Sequence, residues 1–147
     1  GYNRPIMDTV VPLAAAQGFA PDNLVCAGDL PESRPSAAGM LHTLQVLGGV
    51  PPQRAVKVDD TLPGLLEGRN AGAWTVAVLA SGNAAGLTEA QWQTLAETER
   101  DTVRQRARAE LAAAHPDAWV DTVADLWPVL LELDARASTL RAGAAAS

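Results

Sequence analysis

Apolar positions along the chain follow two spacings, one typical of helices and one of short buried strands. The helical spacing predicts helices over about residues 4–17, 36–47, 62–71, 99–114 and 123–138. Continuous apolar runs predict strands at 24–27, 55–58 and 74–80, with a short edge strand at Trp119-Val120. Because strands and helices alternate, we expect parallel pairing with right-handed crossovers. The predicted fold class is α/β, with a Rossmann-like parallel sheet and flanking helices.

The sequence at the two ends of the chain predicts a capped helix at one end and a tail at the other. Asn3 is predicted to cap the first helix, which has one apolar stripe typical of a core-facing helix, formed by Ile6, Val10, Leu13 and Ala14. At the other end, small residues follow the last helical stretch. We therefore expect one domain over 1–138 and a disordered tail over 139–147.

Composition narrows the class of protein. The 147 residues suit one domain, and the net charge of −6 argues against a nucleic-acid surface, where phosphates demand basic groups. No apolar run approaches the roughly 18 residues of a membrane span, and no signal peptide is visible. The single cysteine, Cys26, fits a reducing compartment, so the expected location is cytoplasmic.

Candidate chemistry lies at the carboxyl ends of two predicted strands. Asp29 and Arg34 follow the first, and Asp59, Asp60 and Thr61 follow the second. In a parallel sheet these loops share one rim, where ligands bind. A guanidinium at Arg34 suits a phosphate or phosphonate, and a carboxylate at Asp60 suits Mg²⁺.

A structural interpretation of the same residues stays open. Arg34 could instead pair with Glu32 or Asp29 on the surface, and Asp59 could cap the next helix. Spacing alone does not decide between these interpretations. The charged face of the helix over 99–114 is interpreted as solvated rather than as a nucleic-acid patch.

Several strings resemble phosphonoacetaldehyde hydrolase, a member of the haloacid dehalogenase-like superfamily. The resemblance runs in one register over about residues 1–135. Its most specific part is the string that begins at Glu67. The strings are Gly1-Tyr2-Asn3-Arg4-Pro5-Ile6-Met7-Asp8, Gly28-Asp-Leu-Pro-Glu-Ser-Arg-Pro35, Lys57-Val-Asp-Asp-Thr-Leu-Pro63 and Glu67-Gly-Arg-Asn-Ala-Gly-Ala-Trp-Thr-Val76.

This resemblance implies cleavage of the carbon–phosphorus bond of phosphonoacetaldehyde to acetaldehyde and phosphate. In the family, a cap-domain lysine forms a Schiff base, and an aspartate attacks phosphorus with the help of Mg²⁺. Matched by position, Arg34 resembles the phosphonate-binding arginine and Asp60 the carboxylate that holds Mg²⁺. Asp59 is a further metal candidate, and Tyr2 matches a tyrosine near the family's active site.

The sequence also departs from the family pattern. Asp59 stands where the family has glycine, and Gly64 stands where it has a second acid. No nucleophile segment of the form Asp-X-X-Gly-Thr is present, and no cap. The only lysine, Lys57, is not at the Schiff-base position.

The departures predict an incomplete haloacid dehalogenase-like core that lacks the cap, corresponds to the family's carboxyl-terminal part and is inactive alone. Two alternatives remain, a degenerate binding or oligomerisation module and a generic haloacid dehalogenase-like phosphatase. Without a central strand, the neighbouring strands should expose apolar edges. A homodimer or a complementing upstream fragment would cover such edges.

Overall fold

A computed structural model describes the backbone of residues 1–145 and the side chains of residues 1–140. Short 3₁₀ turns at 52–54, 112–114 and 123–125 connect several of the regular elements. In chain order the helices and strands are α1 (Arg4–Ala16), α2 (Ala38–Val46), β1 (Val56–Asp59), α3 (Leu62–Ala71), β2 (Trp74–Val78), α4 (Glu89–Thr94), α5 (Glu97–Leu111), β3 (Ala118–Val120) and α6 (Leu126–Ala145).

The described strands form one parallel sheet in the order β1-β2-β3. Val56 lies opposite Trp74, and Val78 lies opposite Val120. β2 is therefore central, and its side chains from Thr75 onward are buried. The predicted α/β class and the short edge strand at Trp119-Val120 are confirmed.

Helices cover both faces of this sheet. On one face, Leu65 of α3 and Leu111 of α5 pack with Ala77 of β2 and Ala114. On the other face, Leu133 of α6 packs with Val76, Val78 and Val120. Alternation of side chains along β2 explains this division, because successive strand residues point to opposite faces.

Helix ends follow the chemistry expected of capping residues. The Asn3 side chain accepts a hydrogen bond from the Ile6 N–H, which confirms the predicted cap of α1. Thr61 caps α3 in the same way through the Gly64 N–H. α3 ends at Gly72, whose φ of 79° is readily adopted only by glycine.

The predicted strand at 24–27 is wrong as a sheet element. Its one ladder contact in the described chain is an isolated parallel bridge between Asn3 and Ala27. A strand needs a neighbour to satisfy its backbone groups. Within the described residues, no backbone hydrogen bond joins this segment to β1. Its sheet-like contact is instead with the chain just before α1, where the Ala27 N–H donates to the Tyr2 carbonyl at 2.9 Å.

The first helix departs from expectation because its apolar stripe is not buried. Ile6, Val10 and Leu13 are 44%, 42% and 61% exposed, and α1 contains no buried residue. Periodicity correctly located the helix, but the described chain supplies no surface for its apolar face.

The final helix extends beyond the predicted domain boundary at 138. α6 continues to Ala145, and residues 146 and 147 of the predicted tail lie outside the described part. No helix over 1–145 combines the length and hydrophobicity needed to cross a membrane.

Candidate functional site

A cavity of about 1000 Å³ lies between residues 24–34 on one side and β1 and α3 on the other. Its walls carry two cationic side chains, Arg34 and Lys57, and the predicted substrate-proximal residue Tyr2 also lines it. Tyr2 is 66% exposed, so its side chain is largely open to solvent. The cavity thus contains two of the residues singled out by sequence, and adds Lys57.

The Asp59 carboxylate is the centre of the polar contacts beside this cavity. One oxygen, Oδ1, accepts hydrogen bonds from the Thr61 N–H at 3.0 Å and the Thr61 hydroxyl at 2.8 Å. The other oxygen, Oδ2, lies 3.4 Å from Arg34 Nη1 and 3.5 Å from Lys57 Nζ. Asp59 therefore holds the residue that caps α3 and faces both cations of the cavity.

Gly64 and Asp59 occupy one shared space. A Cβ atom placed on Gly64 would lie 2.0 Å from Asp59 Oδ2 and 2.1 Å from its Cγ. The Asp59 side chain therefore requires glycine at position 64. Positions 59 and 64 are therefore coupled, because the Asp59 carboxylate occupies the space that a side chain at position 64 would need.

Lys57 and Glu67 form an ion pair between β1 and α3. Lys57 Nζ donates to Glu67 Oε2 at 2.7 Å, and the Glu67 side chain is only 8% exposed. Glycines at positions 39 and 68 leave room for the two side chains of this pair. A Cβ atom on Gly39 would lie 2.6 Å from Glu67 Oε1, and a Cβ atom on Gly68 would lie 2.4 Å from Lys57 Cβ. Sequence reasoning missed this pair, which joins residues of different elements.

We expect Glu67→Gln to lower the free energy of unfolding by about 1–3 kcal/mol, because the substitution leaves the partly buried Lys57 ammonium without its closest carboxylate. Urea unfolding followed by circular dichroism measures the change. Glu110→Gln, at an exposed site on α5, is the matched control and should change stability by less than about 0.5 kcal/mol. Equal effects of the two substitutions would show that the ion pair contributes nothing.

Asp60, the predicted metal ligand, is directed to a different loop. Its Oδ2 accepts a hydrogen bond from the Asn83 N–H at 2.8 Å, and its Cβ lies against Gly82. It is not among the residues that line the cavity. Arg34 therefore meets Asp59 rather than Asp60, although both carboxylates follow the same strand.

The alternative pairing of Arg34 with Asp29 or Glu32 is wrong. Asp29 pairs with Arg4 and accepts the Cys26 N–H at 2.8 Å, while Glu32 accepts from the Ser36 hydroxyl. The Cys26 N–H, followed by Arg4, holds the pKa of Asp29 below its ordinary value. The alternative role of Asp59 as the cap of the next helix is wrong, because the cap of α3 is Thr61, and Asp59 instead accepts hydrogen bonds from Thr61.

The charged face of α5 makes specific contacts rather than only meeting solvent. Arg100 and Arg104 lie over the Trp92 ring, 5.4 and 5.3 Å from its centroid. Arg104 also pairs with Asp121, which is the first cause of the upward shift of its pKa. These arginines fasten α4 and the end of β3 to α5, so the solvated-face interpretation was incomplete.

Taken together, the parallel sheet, its two helix layers and the polar loop after β1 define a Rossmann-like α/β protein. No protein-family model matches the chain. One solved structure is 22% identical to this chain, superposes with a TM-score of 0.67 over 90% of it, and supports the fold alone.

Comparison of the sequence with known proteins identifies a narrower group of relatives. Phosphonoacetaldehyde hydrolases of Bordetella pertussis and Paraburkholderia phytofirmans are both 48% identical over 136 residues, and that of Vibrio vulnificus is 42% identical over 137. Each match covers 92% of this chain but only 49%, 51% and 51% of the respective relative.

A solved structure agrees with these sequence matches. The crystal structure of a phosphonoacetaldehyde hydrolase-like protein from Oleispira antarctica superposes with a TM-score of 0.90 at 36% identity, over 94% of this chain and 50% of that one. The chain is therefore homologous to phosphonoacetaldehyde hydrolases over about half of their length. The predicted resemblance is confirmed.

Proposed function

We propose that this chain supplies the phosphonate-binding part of a phosphonoacetaldehyde hydrolase and does not turn over substrate alone. The observation that carries the proposal is the placement of Arg34, whose guanidinium borders the large cavity beside Asp59. Its side chain is 32% exposed. Homology to proteins named for this activity supplies the substrate class.

The geometry of Arg34 suits anion binding. Within the described residues its one ion pair is the 3.4 Å contact with Asp59, which is long for a charge-assisted hydrogen bond. Most of its five N–H donors are therefore available to the oxygens of a phosphonate. Asp59 orients the guanidinium from one side and leaves the cavity side open.

Lys57 contributes charge to the site rather than imine chemistry. Two carboxylates face its ammonium, Glu67 at 2.7 Å and Asp59 at 3.5 Å. Both contacts tie its side chain to residues of β1 and α3. Lys57 therefore adds positive charge beside the phosphonate and does not serve as the Schiff-base lysine.

The residues present supply part of a magnesium site. Asp60 offers a hard oxygen donor, which Mg²⁺ prefers. However, among the side chains that the structure describes, no group of three or more His, Cys, Asp or Glu residues is placed to share a metal ion. The described residues do not form a complete magnesium site, and further ligands would come from substrate, water or another polypeptide.

We expect Arg34→Ala to weaken phosphate binding at least about tenfold, because a charge-assisted hydrogen bond contributes about 1.5–3 kcal/mol. Isothermal titration of the purified chain with inorganic phosphate measures this loss. Arg54→Ala is the matched control, since Arg54 is an exposed arginine on the turn before β1. Equal affinities for Arg34→Ala and the unsubstituted chain would reject the assignment of Arg34.

A non-catalytic binding or oligomerisation module is the second candidate. It is favoured by Asp59, both of whose oxygens are already engaged by Thr61 and the two cations. If millimolar phosphate gives no heat of binding to the unsubstituted chain, this second candidate is preferred.

A further inference from the structure

Carboxylates surround the two cations of the cavity. The charged side chains that line it are the cations Arg34 and Lys57 and the carboxylates Glu32 and Glu67. Asp59 adds a third carboxylate, whose Oδ2 lies 3.4 Å from Arg34 Nη1 and 3.5 Å from Lys57 Nζ. Among the side chains described at this site, three carboxylates therefore stand against two cations, although the site is proposed to bind an anion.

The three carboxylates differ in how directly they act on Arg34. Glu67 pairs with Lys57 at 2.7 Å, and Glu32 accepts a hydrogen bond from the Ser36 hydroxyl. Of the carboxylates in the described part of the chain, Asp59 is the one that pairs with Arg34. An anion bound by Arg34 therefore lies closest to the charge of Asp59.

The Asp59 carboxylate is held in place from two sides. Its Oδ1 accepts hydrogen bonds from the Thr61 N–H at 3.0 Å and from the Thr61 hydroxyl at 2.8 Å. On another side the carboxylate fills the space above Gly64, where a Cβ atom would lie 2.0 Å from Oδ2. Asp59 cannot turn away from Arg34 without losing these contacts, so its charge stays beside the guanidinium.

Solvent screens the charge of Asp59 weakly. The Asp59 side chain is 10% exposed, whereas the Arg34 side chain is 32% exposed. A charge that is shielded from water acts more strongly on its neighbours than an exposed one. Removing a dianion from water also costs more than removing a monoanion, and cations that carboxylates already balance offer little to offset that cost.

We propose that Asp59 makes the Arg34 site selective for tetrahedral oxyanions that carry one negative charge over those that carry two. Arg34 donates to the oxygens of either anion, and Asp59 repels the second charge. The ligand is thus a phosphonate group in a singly charged form. This inference rests on the proposed function, because the site is the anion site assigned there to Arg34.

Two anions of the same shape test this selectivity. Methylphosphonate and methanesulfonate each present three oxygens on a tetrahedral centre, and at alkaline pH they carry two charges and one charge respectively. Isothermal titration of the purified chain, in buffer that contains a metal chelator, measures the affinity for each anion. We expect methanesulfonate to bind more tightly than methylphosphonate. Asp59→Asn should shift the ratio of the two affinities at least about tenfold toward methylphosphonate, because it removes a nearby, weakly screened charge.

Three variants separate the effect of charge from the effect of folding. Asp59→Asn keeps an oxygen that can accept from Thr61, and Asp59→Gly removes the side chain altogether, so both should shift the affinity ratio in the same direction. Asp134→Asn removes an equal charge from an exposed site on α6 and should leave the ratio unchanged. Circular dichroism checks that each variant folds.

The outcomes distinguish the selectivity from the anion site itself. The selectivity is overturned, and Arg34 stays an anion ligand, if the unsubstituted chain prefers methylphosphonate or if both Asp59 variants leave the affinity ratio unchanged. An equal shift with Asp134→Asn would also overturn it. If neither anion binds to the unsubstituted chain or to the Asp59 variants, the anion site of the proposed function is rejected together with its selectivity.

Discussion

Gly64→Asp is expected to destabilise the protein by about 3 kcal/mol or more, and Asp59→Gly in the same chain should recover most of that loss. The new Cβ would lie 2.0 Å from Asp59 Oδ2, and a second carboxylate would add like-charge repulsion. Overpacking alone typically costs about 1–3 kcal/mol. The double substitution removes the colliding group, because glycine at position 59 has no side chain to meet the new Cβ.

A double-mutant cycle by urea unfolding measures this coupling. Asp134→Ala is the control partner, since Asp134 is an exposed carboxylate on α6, which packs on the opposite face of the sheet from α3. It should not rescue Gly64→Asp. If the Asp59→Gly and Gly64→Asp effects simply add, the two positions do not share space in solution.

The second large effect concerns catalysis. The purified chain should hydrolyse phosphonoacetaldehyde at a rate on the order of 10⁴-fold or more below that of a complete relative, because removing a nucleophile abolishes most of the rate enhancement of an enzyme. The sequence contains no Asp-X-X-Gly-Thr segment, and its only lysine, Lys57, is held by Glu67 and Asp59.

Release of acetaldehyde, followed with a coupled dehydrogenase, measures this rate. Borohydride treatment provides an internal check, since it traps an imine between a lysine and the aldehyde. The chain alone should show neither turnover nor borohydride-sensitive labelling at Lys57. Substantial turnover would mean that another group in this chain performs the chemistry.

Much of the fold follows from local sequence patterns. The apolar run of β2 and the Thr61 and Gly72 signals of α3 located those elements, because each signal acts within a few residues. The failure at residues 24–27 has a different cause. Strand formation depends on a neighbouring strand, and the described chain places no strand beside that segment.

The site was predictable in its residues but not in its contacts. Sequence placed Arg34 and the Asp59–Asp60 pair on one rim, but it could not show which carboxylate turns toward the arginine. Side-chain direction at the end of β1 decides this, and Asp60 turns to the Asn83 N–H. The Lys57–Glu67 pair was equally hidden, because strand and helix packing brings those side chains together.

The most direct test of the account is phosphonoacetaldehyde turnover by this chain co-expressed with the unmatched half of a relative. We expect turnover that neither polypeptide shows alone, and we expect Arg34→Ala in this chain to reduce it at least about tenfold while Arg54→Ala does not. Turnover by the chain alone, or a fully active pair that carries Arg34→Ala, would contradict the account.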